Sequence, residues 1–314
     1  LVVALVVSGC DRSLSDSDSW PNKPGPKVVV SFAPLYCFAV NVAGDDAHVK
    51  NVITTTGPHD FNPTEQDARL LSQADIMFVI GLGLDEHIAK KMKDGSGNTK
   101  LRIVELAERI PKEKLCEGVC THSHHQDDPD HKHDLDPHVW LSPEHAIYLV
   151  NAIRDELKAA DPERAGNYDR RAAEYVAKLE KLKADGLALL AGKTDNRLVS
   201  FHDSLVYFAD CFKLEIRGVL TQKPGQEPDE REMKKLIRIC TDETKPTRVI
   251  AVEPQYSKSH SGEVLRKELE LKGVNNPVLA EIDTLETAKP ADLTPDWYEQ
   301  RMRANLAELA EKLK

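Results

Sequence analysis

Lysine and arginine never gather into a long run, and no stretch of about 18 or more apolar residues occurs. The first absence removes the electrostatic footprint of a nucleic-acid partner, and the second leaves no segment that reads as a membrane-spanning helix. Hydrolytic and nucleotide signatures are missing too: there is no His-Glu-x-x-His, no Gly-x-Ser-x-Gly and no phosphate loop. What is present is a chain of 314 residues, 40% hydrophobic and 30% charged, long enough for two packed domains. Its net charge of −10 is compatible with attracting cations.

The first ten residues form a short apolar run ending Val7-Ser8-Gly9-Cys10. Small residues before a cysteine resemble a lipobox, with Cys10 as the expected lipidated residue, against the alternative of an ordinary signal peptide with an incidental cysteine. Residues 11–26, rich in Ser, Asp, Pro and Gly, read as a flexible tether. Beyond Cys10 the remaining cysteines are Cys37, Cys116, Cys120, Cys211 and Cys240. An odd number cannot all pair within one chain, and Cys116 and Cys120 either bridge or stay as thiols.

From Lys27 onward, β-branched runs alternate with helical periods, and the pattern occurs twice. Strands are expected at residues 27–31, 49–54, 76–81 and 101–105, then at 197–201, 215–220, 247–252 and 277–282. Helices are expected between them, with a last one at 295–314. This alternation predicts an α/β fold of two similar lobes, each a parallel β-sheet flanked by helices. Residues 143–160 read as one helix. A second, starting at Pro162, repeats Tyr168, Ala172, Tyr175, Leu179, Leu182 and Leu189 at helical spacing. About 30 residues make a rod of about 45 Å, enough to join the lobes rigidly. The expected division is an N-terminal lobe at 27–160, a linking helix at 161–192 and a C-terminal lobe at 193–314.

Four residues sit just after strands or in βα loops with polar or proline neighbours: His59, His138, His202 and Asp283. Ligand crevices of open α/β sheets lie at the carboxyl ends of strands, so loops from two lobes can converge there. Three imidazoles and a carboxylate make a tetrahedral zinc cage, with Glu253 the alternative to Asp283 as fourth ligand or a second acceptor holding a histidine tautomer.

These segments resemble the periplasmic zinc and manganese binding proteins of ABC importers. The resemblance rests on Gly57-Pro58-His59-Asp60-Phe61-Asn62-Pro63, Asp136-Pro137-His138-Val139-Trp140-Leu141-Ser142-Pro143, Phe201-His202-Asp203-Ser204 and Val252-Glu253-Pro254-Gln255-Tyr256-Ser257. It implies two α/β lobes joined by one long helix, with His59, His138, His202 and Asp283 as metal ligands. It also implies an extracytoplasmic, lipid-anchored monomer that delivers Zn2+, or Mn2+, to a membrane permease. The His- and acid-rich stretch at 121–134 reads as a metal-attracting loop, typical of the zinc members of that family. Imidazole donors point the same way, since they suit zinc better than manganese. A zinc hydrolase and an adhesion lipoprotein are the competing classes. The first needs a ligand position left to water, whereas four protein donors leave none.

Overall fold

The β-branched runs become eight short strands in the computed structural model, which describes residues 20–117, 135–221, 227–244, 246–256 and 260–314. β1 (Lys27–Val30), α1 (Ala33–Ala43), β2 (His48–Asn51), α2 (Glu65–Leu71), β3 (Ile76–Val79), α3 (Glu86–Ser96) and β4 (Arg102–Glu105) build the first lobe. Two long helices follow, α4 (Pro143–Ala160) and α5 (Ala165–Leu190). The second lobe comprises β5 (Arg197–His202), α6 (Val206–Phe212), β6 (Glu215–Thr221), α7 (Glu230–Cys240), β7 (Val249–Val252), α8 (Ser261–Leu271), β8 (Val278–Glu281) and α9 (Trp297–Lys312). Each strand overlaps the window expected for it. Cys10, Cys120 and the histidine-rich stretch 121–134 lie outside the described residues. Within the expected tether, Trp20 packs on the first lobe and donates its indole N–H to the Leu70 carbonyl at 3.3 Å.

Both sheets are parallel and share one order, β2-β1-β3-β4 and β6-β5-β7-β8. Val28–Val30 and Ile76–Val79 are buried on both faces, as helices covering a parallel sheet require. The order reverses between β1 and β3, and again between β5 and β7, so each lobe has a switch point where its loops diverge. In the first lobe that point is filled from within. Asp85 accepts hydrogen bonds from Ser31 Oγ (2.6 Å), Ile80 N (3.1 Å) and Gly81 N (2.9 Å).

Helix α5 starts at Ala165 rather than Pro162, because Pro162–Arg164 forms a 3-10 turn first, and its 26 residues span about 39 Å. Tyr168, Ala172, Tyr175, Leu179 and Leu182 are buried as the spacing predicts, each leucine contributing about 2 kcal/mol. At the end the stripe shifts by one residue. Leu190 is buried while Leu189 is 48% exposed, since Gly186 and Leu190 turn the inner face toward α6 and α9. The helix begins on the first lobe, where Arg171 donates to the carbonyls of Val42 and Ala43 and Tyr168 to that of Asp46. It ends against Phe212 and Leu306 of the second.

A second connection was not expected from the sequence. After β8 the chain returns to the first lobe, where the Ala288 N–H donates to the Thr54 carbonyl (2.8 Å) and the Asn41 amide to the Pro295 carbonyl (2.6 Å). One buried apolar cluster consequently runs from β1 and α1 through α4, α5 and α9 into β5, α6 and β8. A smaller cluster lies beneath α7 and α8. Among the described residues no helix is long and apolar enough to cross a membrane, and Cys37, Cys116, Cys211 and Cys240 are free thiols.

Candidate metal centre

Three of the four residues expected to meet do so. His59 comes from the loop after β2, whose far end is fixed by the Thr64 cap on α2. His138 precedes the 3-10 turn Val139–Leu141, and His202 is the last residue of β5, beside the switch point. His138 Nε2 lies 3.3 Å from His59 Nε2 and 3.3 Å from His202 Nε2. A tetrahedral zinc shell with bonds of about 2.0–2.1 Å has edges of about 3.3–3.4 Å, so both separations match a shared ion.

The donor atom that the structure groups with the three rings belongs to Glu286, whereas Asp283 is not part of the group. Glu286 Oε1 lies 3.9 Å from His59 Nε2 and 3.7 Å from both His138 Nε2 and His202 Nε2, and the four donor atoms lie within 4.8 Å of one another. Both carboxylate oxygens of Glu286 are buried and neither makes a well-formed hydrogen bond, the Thr284 side chain being the polar neighbour that lowers its carboxyl, and a cation at this point would relieve that costly burial. Asp283 stands aside because it builds the turn. Its Oδ1 accepts the Leu285 N–H at 2.8 Å, its backbone is held by both ends of the Asn305 amide, and Leu285 adopts a left-handed φ of 61°. That reversal swings the following Glu286 into the cluster. A carboxylate three residues beyond Asp283 in a polar loop was the only trace of it in the sequence.

Glu253, the alternative to Asp283, follows β7 across the switch point and holds Nδ1 of His202 through a very short contact. Asp136 does the same for His138, its Oδ1 lying 3.1 Å from Nδ1 and accepting the His138 backbone N–H at 2.8 Å. With Nδ1 engaged by a carboxylate, each ring turns Nε2 toward the centre, as metal-binding histidines do. Asp136 was legible only as part of a motif.

The electrostatics follow from burial. Exposure falls from 27% for the His59 side chain to 3%, 1% and 0% for His138, His202 and Glu286, so His59 forms the open edge. Desolvation, helped by its imidazole neighbours, lowers His59 to about 3. Burial likewise lowers His202 to about 4. Burial pulls His138 down as well, but Asp136, Glu286 and Glu253 outweigh it and raise the ring to about 8. Burial raises the carboxyls of Glu253, to about 8, and of Glu286. The shifts favour neutral rings at His59 and His202 and a protonated His138, and an incoming cation competes with the protons held by His138 and the raised carboxyls.

The chain is similar to known metal-binding proteins. Zinc-binding protein AdcA of Streptococcus pyogenes serotype M3 is 30% identical over 300 residues, covering 90% of this chain and 55% of its own length. The chain therefore spans about half the length of that relative. Manganese-binding lipoprotein MntA of Halalkalibacterium halodurans is 24% identical, covering 82% of this chain and 80% of its own. Among solved structures, the binding protein FpvC of Pseudomonas aeruginosa in complex with Mn2+ superposes with a TM-score of 0.76 at 25% identity, covering 91% of this chain and 97% of that one. The family described as zinc-uptake complex component A, periplasmic, matches residues 28–312, and the chain belongs to that family.

Proposed function

We propose that this protein captures a divalent transition metal between its lobes, zinc by preference, and delivers it to the membrane permease of an ABC importer. The carrying observation is the convergence of three imidazole nitrogens and a buried carboxylate within 4.8 Å. His59, His138, His202 and Glu286 are the proposed ligands, with Asp136 and Glu253 holding two of the rings. Four protein donors fill a tetrahedral shell and leave no position for an activated water, which favours binding over hydrolysis. Three nitrogens to one oxygen favour zinc over manganese. Manganese is the second reading, supported by the likeness to the manganese-binding lipoprotein. Anchoring through Cys10 at the periplasmic or cell surface, a monomeric state and the division at 27–160, 161–192 and 193–314 belong to the same proposal.

Competitive titration of metal-free protein with zinc and manganese tests it. One ion per chain with zinc preferred, and a loss of at least about 100-fold for each of His59→Ala, His138→Ala and His202→Ala, is expected. Unchanged affinity in all three variants refutes the site.

A further inference from the structure

Thr284 is fully buried and joins the two sides of the cluster. Its carbonyl accepts the Trp140 indole N–H at 2.8 Å, and the Trp140 ring packs on His138 with centroids 5.2 Å apart. Its hydroxyl accepts a hydrogen bond from the Gln255 amide, which also reaches Glu253 Oε2 at 3.4 Å, and Glu253 holds His202. Two residues further on stands Glu286, beyond the left-handed Leu285. Backbone and side chain of one threonine thereby contact the supports of a histidine from each lobe and begin the turn that carries the carboxylate.

We propose that Thr284 is a positioning residue for metal capture, its carbonyl registering Glu286 against His138 and its hydroxyl registering it against His202 through Gln255 and Glu253. This rests on the capture reading above. Thr284→Val keeps shape and carbonyl but removes the hydroxyl acceptor, and Thr284→Ser keeps the hydroxyl. Gln255→Met, at a half-buried position, breaks the same chain from its outer side and keeps the test open if Thr284→Val folds poorly.

The measurements are zinc affinity by chelator competition, the visible absorption spectrum of the cobalt(II)-loaded protein, which reports coordination geometry rather than global stability, and the melting temperature without metal. Expected are a changed cobalt spectrum and a loss of zinc affinity of about 10- to 100-fold in Thr284→Val and Gln255→Met, the range for residues that orient metal ligands. Thr284→Ser should restore both readouts, and the double variant should be no weaker than the weaker single, because both break one chain. A wild-type cobalt spectrum and affinity in both Thr284→Val and Gln255→Met, or losses that multiply in the double variant, overturns the proposal. Glu286→Gln, run alongside, separates the two levels of argument. If it loses zinc while Thr284→Val does not, only the positioning role falls; if it too binds normally, Glu286 falls as the fourth donor, and if His202→Ala binds normally as well, the capture site itself falls.

Discussion

The placement of Glu286 and Asp283 is decided by one pair of isosteric substitutions. Structural zinc is held with about 10–16 kcal/mol in four-ligand sites, so an even share per donor is about 2.5–4 kcal/mol, or roughly 100- to 1000-fold in affinity. Glu286→Gln removes the charge and weakens the oxygen donor without changing volume, and zinc affinity should fall by that factor. Asp283→Asn retains an oxygen for the Leu285 N–H, so the turn persists, and affinity should change by less than about 3-fold. Both are measured by competition against a chelator of known affinity, with thermal melts of the metal-free forms. A large loss in Asp283→Asn with near-normal binding in Glu286→Gln would refute the reasoning, since it would make the turn residue the ligand.

Zinc affinity should depend on pH with a definite sign. Binding needs the free Nε2 of His138, raised to about 8, whereas His202 at about 4 and His59 at about 3 are already neutral, so affinity falls as pH drops below about 8, initially by about tenfold per unit. Calorimetry at pH 7 in buffers of different ionisation enthalpy should show net proton release on zinc binding, from His138 and from carboxyls that burial raises, and no release contradicts the assignment. Gly186→Ala in α5 should destabilise the fold although alanine is the better helix former by about 1 kcal/mol, because the added Cβ meets Phe212 Cε1 at 2.5 Å and Leu306 Cδ1 at 2.8 Å. A net loss of about 1 kcal/mol or more in urea melts is expected, and a gain contradicts the close approach of the helices.

Periodicity and strand-end position made the fold readable. Both sheets, α4 and most of α5 follow from patterns that depend on neighbouring residues alone; His59 and His138 were marked by polar, proline-containing loops and His202 by its place at a strand end before a polar Asp-Ser pair. Asp283 and Glu286 show where that reasoning stops. Both are acids in one loop after β8, and only the left-handed turn at Leu285, fixed by Asn305 more than 20 residues away in sequence, decides which faces the histidines. Leu189 was misplaced for a related reason. Over a long helix an error of one residue in the repeat changes the face, and the neighbours that set the final turn, Phe212 and Leu306, are remote in sequence.

The return of the chain after β8 changes how the donors are divided. The sequence suggested two ligands from each lobe, since Glu286, like Asp283, follows a strand of the second sheet. Hydrogen bonding divides them differently. Thr284 on one side of Glu286 is tied to Trp140, and Ala288 on the other to Thr54, so the segment that carries the carboxylate is bonded to the lobe of His59 and His138 as well as, through Gln255 and Asn305, to the second lobe. His202 alone stands on a strand of the second sheet, braced by Glu253 from the adjacent strand. On the even share used above, His202→Ala should weaken binding by roughly 100- to 1000-fold.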